Sequence, residues 1–177
     1  MKKINFWLLI ILLSFALAAC SSSKKTTTTK TTTMTENEKE KILVGDLAYE
    51  EIISTLPRWE EQDKIVELAP EEISRLSEVG RKIDVVCYLG TWCPDSRGAV
   101  PHFTRALEIA DNPNISYKII GLNRDKEDPQ TQRAMKNDIQ RVPTFLIYEN
   151  GKEIGRLIEY PVLDNFVLDI LDLLTSK

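Results

Sequence analysis

The sequence predicts an α/β domain built on a central mixed sheet of about five strands flanked by helices. The continuous apolar, β-branched run "IDVVCYL" at 83–89 has the make-up of a buried central strand, and "ISYKIIGL" at 115–122 reads as a second buried strand. Segments with helical spacing lie between and around them. Near the end, Asn150-Gly151 joins "TFLIY" to "EIGRLI" as a hairpin. Alternating strands and helices make the first part of the sheet parallel. The hairpin makes its last pair antiparallel.

Each element follows from local pattern. "DLAYEEIIST" at 46–55 has helical apolar spacing, with Asp46 as a candidate N-cap and Pro57 as its stop. "KIVEL", 64–68, reads as a short strand. "PEEISRLSEV", 70–79, opens on Pro70 with acids in its first turn, and Gly80 follows it. Strand 83–89 leads into the loop "GTWCPDSRG" and then a helix over about 95–110. Pro101 lies inside that helix and should kink it. After strand 115–122 come a loop and a helix over about 129–138. The last helix is "LDNFVLDILDLL", with apolar residues at 163, 166, 167, 170, 171, 173 and 174. From Lys64 the order is β-α-β-α-β-α-β-β-α, and the helix at 46–55 precedes it.

The beginning of the chain predicts export. Lys2 and Lys3 stand before the apolar run Ile4 to Leu17. That run is short for a membrane span, which needs about 20 residues, and has the size of a secretory signal. It ends in Leu17-Ala18-Ala19-Cys20, which resembles the lipobox of bacterial lipoproteins. The resemblance implies cleavage after residue 19 and lipidation of Cys20. Residues 20–41, rich in Ser, Thr and Lys, hold one large apolar side chain, Met34. Such a stretch cannot bury enough surface to order itself. It is expected to be a tether spanning roughly 25 Å on average. The division is therefore 1–19 signal peptide, 20–41 lipidated Cys and tether, and 42–177 folded domain. An extracytoplasmic, membrane-anchored protein is expected.

Charge narrows the partners. The formal charge is −4 and becomes −6 once Lys2 and Lys3 are removed. No basic stripe is present to neutralise phosphates, so nucleic acid is not an expected partner. With Cys20 lipidated, two thiols remain, Cys87 and Cys93. They either pair once, or at least one is chemically useful.

Four features now fall in one order. Trp92-Cys93 follows a buried strand and begins a helix. Pro101 comes five residues after Ser96. Val142-Pro143-Thr144 stands just before a strand. "YENGKEIGRL" forms the closing hairpin. In this the sequence resembles the thioredoxin family over about 63–177, with 42–62 left as an added N-terminal helix. The resemblance implies a thioredoxin-like fold with Cys93 as the catalytic residue. Trp92, Pro94, Asp95 and Ser96 complete the motif. Val142, Pro143 and Thr144 would form a cis-Pro loop that presents backbone groups to an extended substrate.

The residues themselves support that chemistry. A Cys at a helix N-terminus faces unpaired N–H groups and the positive end of the dipole, which favour a thiolate nucleophile. Asp95 opposes this with a nearby negative charge, and Arg97 offsets it in part. The departures from the family pattern matter as much. Its fourth motif position is a resolving Cys, and here it is Ser96. A buried Asp six residues before the first Cys is here Cys87. The Lys that neighbours that Asp falls at Gly121. Cys87 reads either as a small core residue or as a second, cryptic thiol behind the site. His102 lies two and a half turns along the helix, too far to act as a base for Cys93. Cys87, Cys93 and His102 make a poor metal set, because one of them lies on a buried strand. No metal or cofactor is expected.

The sequence thus points to thiol–disulfide exchange through a single cysteine. Its partners would be thiol- or disulfide-bearing exported proteins or small thiols, with the membrane reached through Cys20. The alternative is a non-catalytic binding module that uses the same groove.

Overall fold

A computed structural model describes residues 41–175. The signal segment, Cys20 and nearly all of the tether lie outside the described residues. The elements are β1 (Gly45–Leu47), α1 (Tyr49–Thr55), α2 (Pro57–Lys64), α3 (Pro70–Ser77), β2 (Ile83–Leu89), α4 (Pro94–Ala110), β3 (Ile115–Gly121), α5 (Arg133–Lys136), β4 (Thr144–Glu149), β5 (Lys152–Ile158) and α6 (Phe166–Thr175). The strands form one mixed five-stranded sheet in the order β1-β3-β2-β4-β5. Strands β2 and β3 run parallel, and β4 lies antiparallel to β2 on its other side. The hairpin β4–β5 is antiparallel, as its Asn-Gly turn predicts. Among the described residues, no helix is long and apolar enough to cross a membrane.

Strands β2 and β3 lie inside the sheet, and both of their faces are covered toward their C-terminal ends, where Cys87–Leu89 and Ile119–Gly121 are buried. Ile83, Val85, Cys87 and Leu89 of β2 point into a core shared with Val100 and Phe103 of α4 and with Phe166 and Ile170 of α6. Phe145 of β4 lies at its centre, 4.8 Å from the Phe103 ring and 4.6 Å from the Phe166 ring. Each such aromatic pair adds about 0.5–1.5 kcal/mol beyond its buried area. The alternate residues, Tyr88, Ile120 and Leu146, face a second cluster with Ala134, Ile139 and Val142. The sheet therefore separates two apolar layers.

The structure differs from the sequence reading mainly before residue 70. "KIVEL" is not a strand: Lys64 ends α2, and the amides of Ile65 and Val66 still bond back to Gln62 and Asp63. Ile65 is exposed, so the apolar alternation there buries no face. The first helix does end just before Pro57, as expected, but Pro57 also opens a second one, in the first position of α2. Asp46 is not an N-cap. It lies in β1, and Ala48 precedes α1 without a side-chain cap. The first strand of the sheet is thus β1, which pairs antiparallel with the end of β3. Residues 42–62 supply a strand and two helices rather than one added helix. Farther on, α5 is a single turn and α6 begins at Phe166.

What makes room for β1 is Gly121. A Cβ there would stand 2.5 Å from the Leu43 carbonyl oxygen and 2.6 Å from Leu47 Cδ1. Only glycine allows the chain so close. The extension then packs Tyr49, Ile52, Leu56 and Trp59 into the same core as Cys87. Buried Asp63 joins it to the rest of the fold. It accepts the Tyr49 hydroxyl at 2.7 Å and lies 3.6 Å from Arg105 of α4.

Candidate functional site

Strand β2 ends at Leu89 and α4 begins at Pro94, so four residues make the turn between sheet and helix. Cys93 is the N-cap residue of α4, in extended conformation, and Pro94 takes the first helical position. The Cys93 amide donates to the Gly90 carbonyl at 2.9 Å, and its own carbonyl accepts from Arg97 at 3.1 Å. These bonds fix the sulfur at the helix terminus. Sγ lies 3.4 Å from the Val142 carbonyl oxygen and 3.9 Å from Asp95 Oδ2. Cys93 is only 6% exposed.

The opposite wall is the loop 141–143. The Val142–Pro143 peptide bond is cis. Thr144 Oγ1 donates to the Arg141 carbonyl at 2.8 Å, and the Glu159 amide donates to the Pro143 carbonyl at 2.7 Å. An ion pair between Arg141 and Glu159 adds a link at the surface. The structure therefore brings Cys93, Asp95 and Val142–Thr144 together.

Trp92 lies flat against the turn. Its indole N–H donates to the Leu122 carbonyl at 3.1 Å, and the Arg124 guanidinium stands 5.4 Å from the ring centroid. Such a stacked cation contributes about 0.5–1 kcal/mol at an exposed site. A Cβ on Gly90 would lie 2.7 Å from the Trp92 ring, so that position must also be glycine. Ser96 is fully buried, and its Oγ accepts the Gly90 amide at 3.2 Å. The residue in the fourth motif position thus helps to close the turn.

Cys87 is placed differently. It is fully buried on β2, in the cluster on the α4–α6 side of the sheet, whereas Cys93 packs in the cluster on the other side. Both thiols are free. Burial alone pushes the Cys87 thiol well above the ordinary range of a cysteine. His102 is not brought to the site. Its Nε2 lies 3.2 Å from Glu72 Oε2, between α3 and α4.

Three residues that no motif marked belong to the surroundings of Cys93. Thr91 is fully buried, and its carbonyl accepts the Trp59 indole N–H at 2.9 Å. Its hydroxyl oxygen accepts the Leu43 amide at 3.1 Å. Tyr160 stands at the rim, 63% exposed. The charge of Asp95 is the largest influence raising its phenol pKa, followed by Glu159, burial and Cys93. Around it Ile158, Val162 and Leu163 leave apolar surface exposed. A lone Trp in the polar run "PRWEEQDK" was a signal for Trp59. Nothing in the sequence marked Tyr160, which lies in a loop.

A separate cleft of about 470 Å³ lies beside α5, lined by Asp125, Glu127, Asp128, Gln132, Met135 and Asp138 among others. Asp128 is buried, and burial works to raise its pKa. Hydrogen bonds from Thr131, Ala134 and Arg133 outweigh that and hold it below the usual carboxylate value. The cleft lining includes neither Cys93 nor Val142.

With this geometry in place, comparison with known proteins decides the family. The sequence model described as "Thioredoxin" matches residues 47–169. The chain belongs to the thioredoxin family. The match begins inside β1, so most of the 42–62 segment falls within the family pattern rather than outside it. Putative thioredoxin-5 of Dictyostelium discoideum is 30% identical over 91 residues, covering 50% of this chain and 82% of that protein. Protein disulfide-isomerase A5 of Bos taurus is 32% identical over 102 residues, covering 56% of this chain. The matched region is only 19% of that isomerase's length. A crystal structure of a protein of unknown function from Pseudomonas aeruginosa superposes with a TM-score of 0.51 at 18% identity. It covers 73% of this chain and 86% of that one, a likeness of fold.

Against the thioredoxin pattern, the interior behind the motif is apolar. Cys87 stands where the pattern has a buried Asp. The space beside Gly121 is taken by the Leu43 carbonyl and the Leu47 side chain.

Proposed function

We propose that this thioredoxin-family chain carries out thiol–disulfide exchange through Cys93 alone. The observation that supports it most is the position of the Cys93 sulfur, at the N-terminus of a seventeen-residue helix and 3.4 Å from the carbonyl that precedes cis-Pro143. The Cys93 thiolate attacks one sulfur of a substrate disulfide. A Cys93–substrate disulfide forms, and the other substrate sulfur leaves as thiolate. Ser96 cannot resolve that adduct, since a hydroxyl does not displace a sulfur. A second thiol, on the substrate or on a small molecule, attacks the Cys93–substrate disulfide. It takes the substrate sulfur and returns Cys93 as thiolate. Electrons balance without a cofactor.

Cys87 has no step in this scheme and serves to pack the core. The partners on this reading are thiol- or disulfide-bearing exported proteins or small thiols. An acylated Cys20 would hold the domain at a membrane outside the cytoplasm, with 21–41 as its tether. Intact mass of the mature chain tests this part: a chain that begins at an acylated Cys20 supports it, and an unmodified N-terminus elsewhere removes it.

The burial of Cys93 favours one other reading, a binding module whose groove holds a partner segment without turnover. A single experiment separates the two. Protein is mixed with a reactive disulfide such as oxidised glutathione, and the Cys93-containing peptide is weighed. Accumulation of the mixed disulfide supports exchange. A Cys93 that alkylates but forms no adduct supports the binding module.

A further inference from the structure

Between the first described residues and the nucleophile runs a short chain of buried contacts. Leu43 donates its amide to Thr91 Oγ1 at 3.1 Å, and Trp59 donates its indole N–H to the Thr91 carbonyl at 2.9 Å. The hydroxyl and the carbonyl of one residue are thus both held by the N-terminal segment. Thr91 and Trp59 have no exposed surface. Thr91 is two residues before Cys93, inside the turn that the Cys93 amide closes onto Gly90. Leu43 is itself held at the far side, where its carbonyl abuts Gly121.

We propose that Leu43 and Trp59 form a latch on Thr91 that keeps the Cys93 turn closed, so that the N-terminal segment sets how accessible the nucleophile is. Leu43 and Trp59 are positioning residues, since they act on Cys93 only through Thr91. With the latch made, Thr91 has no freedom to rotate, and Cys93 stays packed against Val142. With either bond lost, a buried donor or acceptor is left unpaired. The turn then relaxes toward water and carries the thiol with it. The latch begins where the expected tether ends, so a load on that segment bears on Thr91 before any other part of the turn.

The inference rests on Cys93 being the reactive thiol, but its test does not need exchange activity. The full chain is exposed to iodoacetamide at neutral pH, and peptide mapping by mass spectrometry follows Cys93 and Cys87 separately. Thr91→Val removes the hydroxyl at nearly constant shape, and Trp59→Phe removes the indole donor. Both should raise the alkylation rate of Cys93 about threefold to tenfold, the worth of one hydrogen bond. Thr91→Ser keeps the hydroxyl and should restore the wild-type rate. Cys87 is the internal control: a variant that merely weakens the fold exposes both thiols, whereas an opened latch leaves Cys87 protected. If Thr91→Val leaves the Cys93 rate unchanged, or speeds Cys87 in parallel, the latch is wrong. Thr91→Val decides the matter even if Trp59→Phe fails to fold. Failure of the exchange reading looks different, namely a Cys93 that alkylates in every variant yet forms no disulfide with oxidised glutathione.

Discussion

Cys87 and Cys93 carry the same side chain six residues apart, and the fold gives them opposite circumstances. Cys87 sits mid-strand, paired with Ile119 and Phe145 on either side and closed in by two helices. Nothing polar reaches its sulfur within hydrogen-bonding range in the described structure, and burial holds it as a thiol. Cys93 sits where a strand has ended and a helix has not yet closed its first bonds. Two oxygens and the helix terminus face its sulfur. On the exchange reading proposed above, the difference teaches that reactivity is assigned by the end of an element rather than by the residue. A thiol in a pleated, doubly covered strand is packing. The same thiol just beyond the strand stands at a helix terminus, where the proposed exchange places the nucleophile.

The sharpest way to break the comparison is to remove each sulfur. Cys93→Ser should abolish the mixed disulfide with oxidised glutathione altogether, while Cys87→Ala should leave its rate within about twofold. An adduct on Cys87, read by mass, would reverse the assignment. Next in size is Ser96→Cys. A neighbouring thiol acts at high effective concentration, so adduct lifetime should fall by about a hundredfold or more. If wild-type adducts already decay that fast, and Cys87→Ala slows them, Cys87 is a resolving thiol after all.

Stability should rank the two sites the other way. Cys87→Ser places a hydroxyl without a partner in an apolar core and should cost about 1–3 kcal/mol in urea unfolding. Cys93→Ser has the Val142 carbonyl within reach and should stay within about 0.5 kcal/mol of wild type. Equal losses would mean that the two environments are less distinct than their packing suggests.

The smallest effects are electrostatic. Asp95→Asn removes a negative charge 3.9 Å from Sγ. Two unit charges at that range in water interact by about 1 kcal/mol, so iodoacetamide should react with Cys93 about threefold to fivefold faster at neutral pH. Cys87 should not respond. Tyr160→Phe keeps the ring at the rim and removes the hydroxyl beside Asp95, and should change the Cys93 rate by about twofold or less. A larger change would make Tyr160 a participant rather than a neighbour.

How much of this was legible depended on the length scale of each signal. The central strands, the hairpin, the helix carrying Pro101 and the thioredoxin-like order were readable because continuous apolar runs and turn pairs encode them locally. Cys93 and Val142–Thr144 could be brought together only by the family order, since no local rule joins residues 49 positions apart. The error at 64–68 arose because five residues of mixed polarity fit a strand as well as a helix end. β1 could not be read at all. Three residues carry no periodicity, and the space they need is made by a glycine 76 positions later. Thr91 carries no local signal, because its two partners, Leu43 and Trp59, reach it only through tertiary packing.

The antiparallel edge strand also bears on how the chain acquires its shape. Gly45 pairs with Gly121, so β1 has no partner until β3 is present. Loop closure over that distance disfavours early pairing relative to local contacts such as the hairpin and the helices. In a chain that emerges from its N-terminus first, the opening residues must therefore wait while β2 to β3 assemble, and the turn bearing Cys93 is finished only when they return. Folding should pass through a stage in which Cys87 is shielded by α4 and α6 alone while the Cys93 turn is still open. Pulsed alkylation during refolding reads that order directly, and simultaneous protection of the two thiols would refute it.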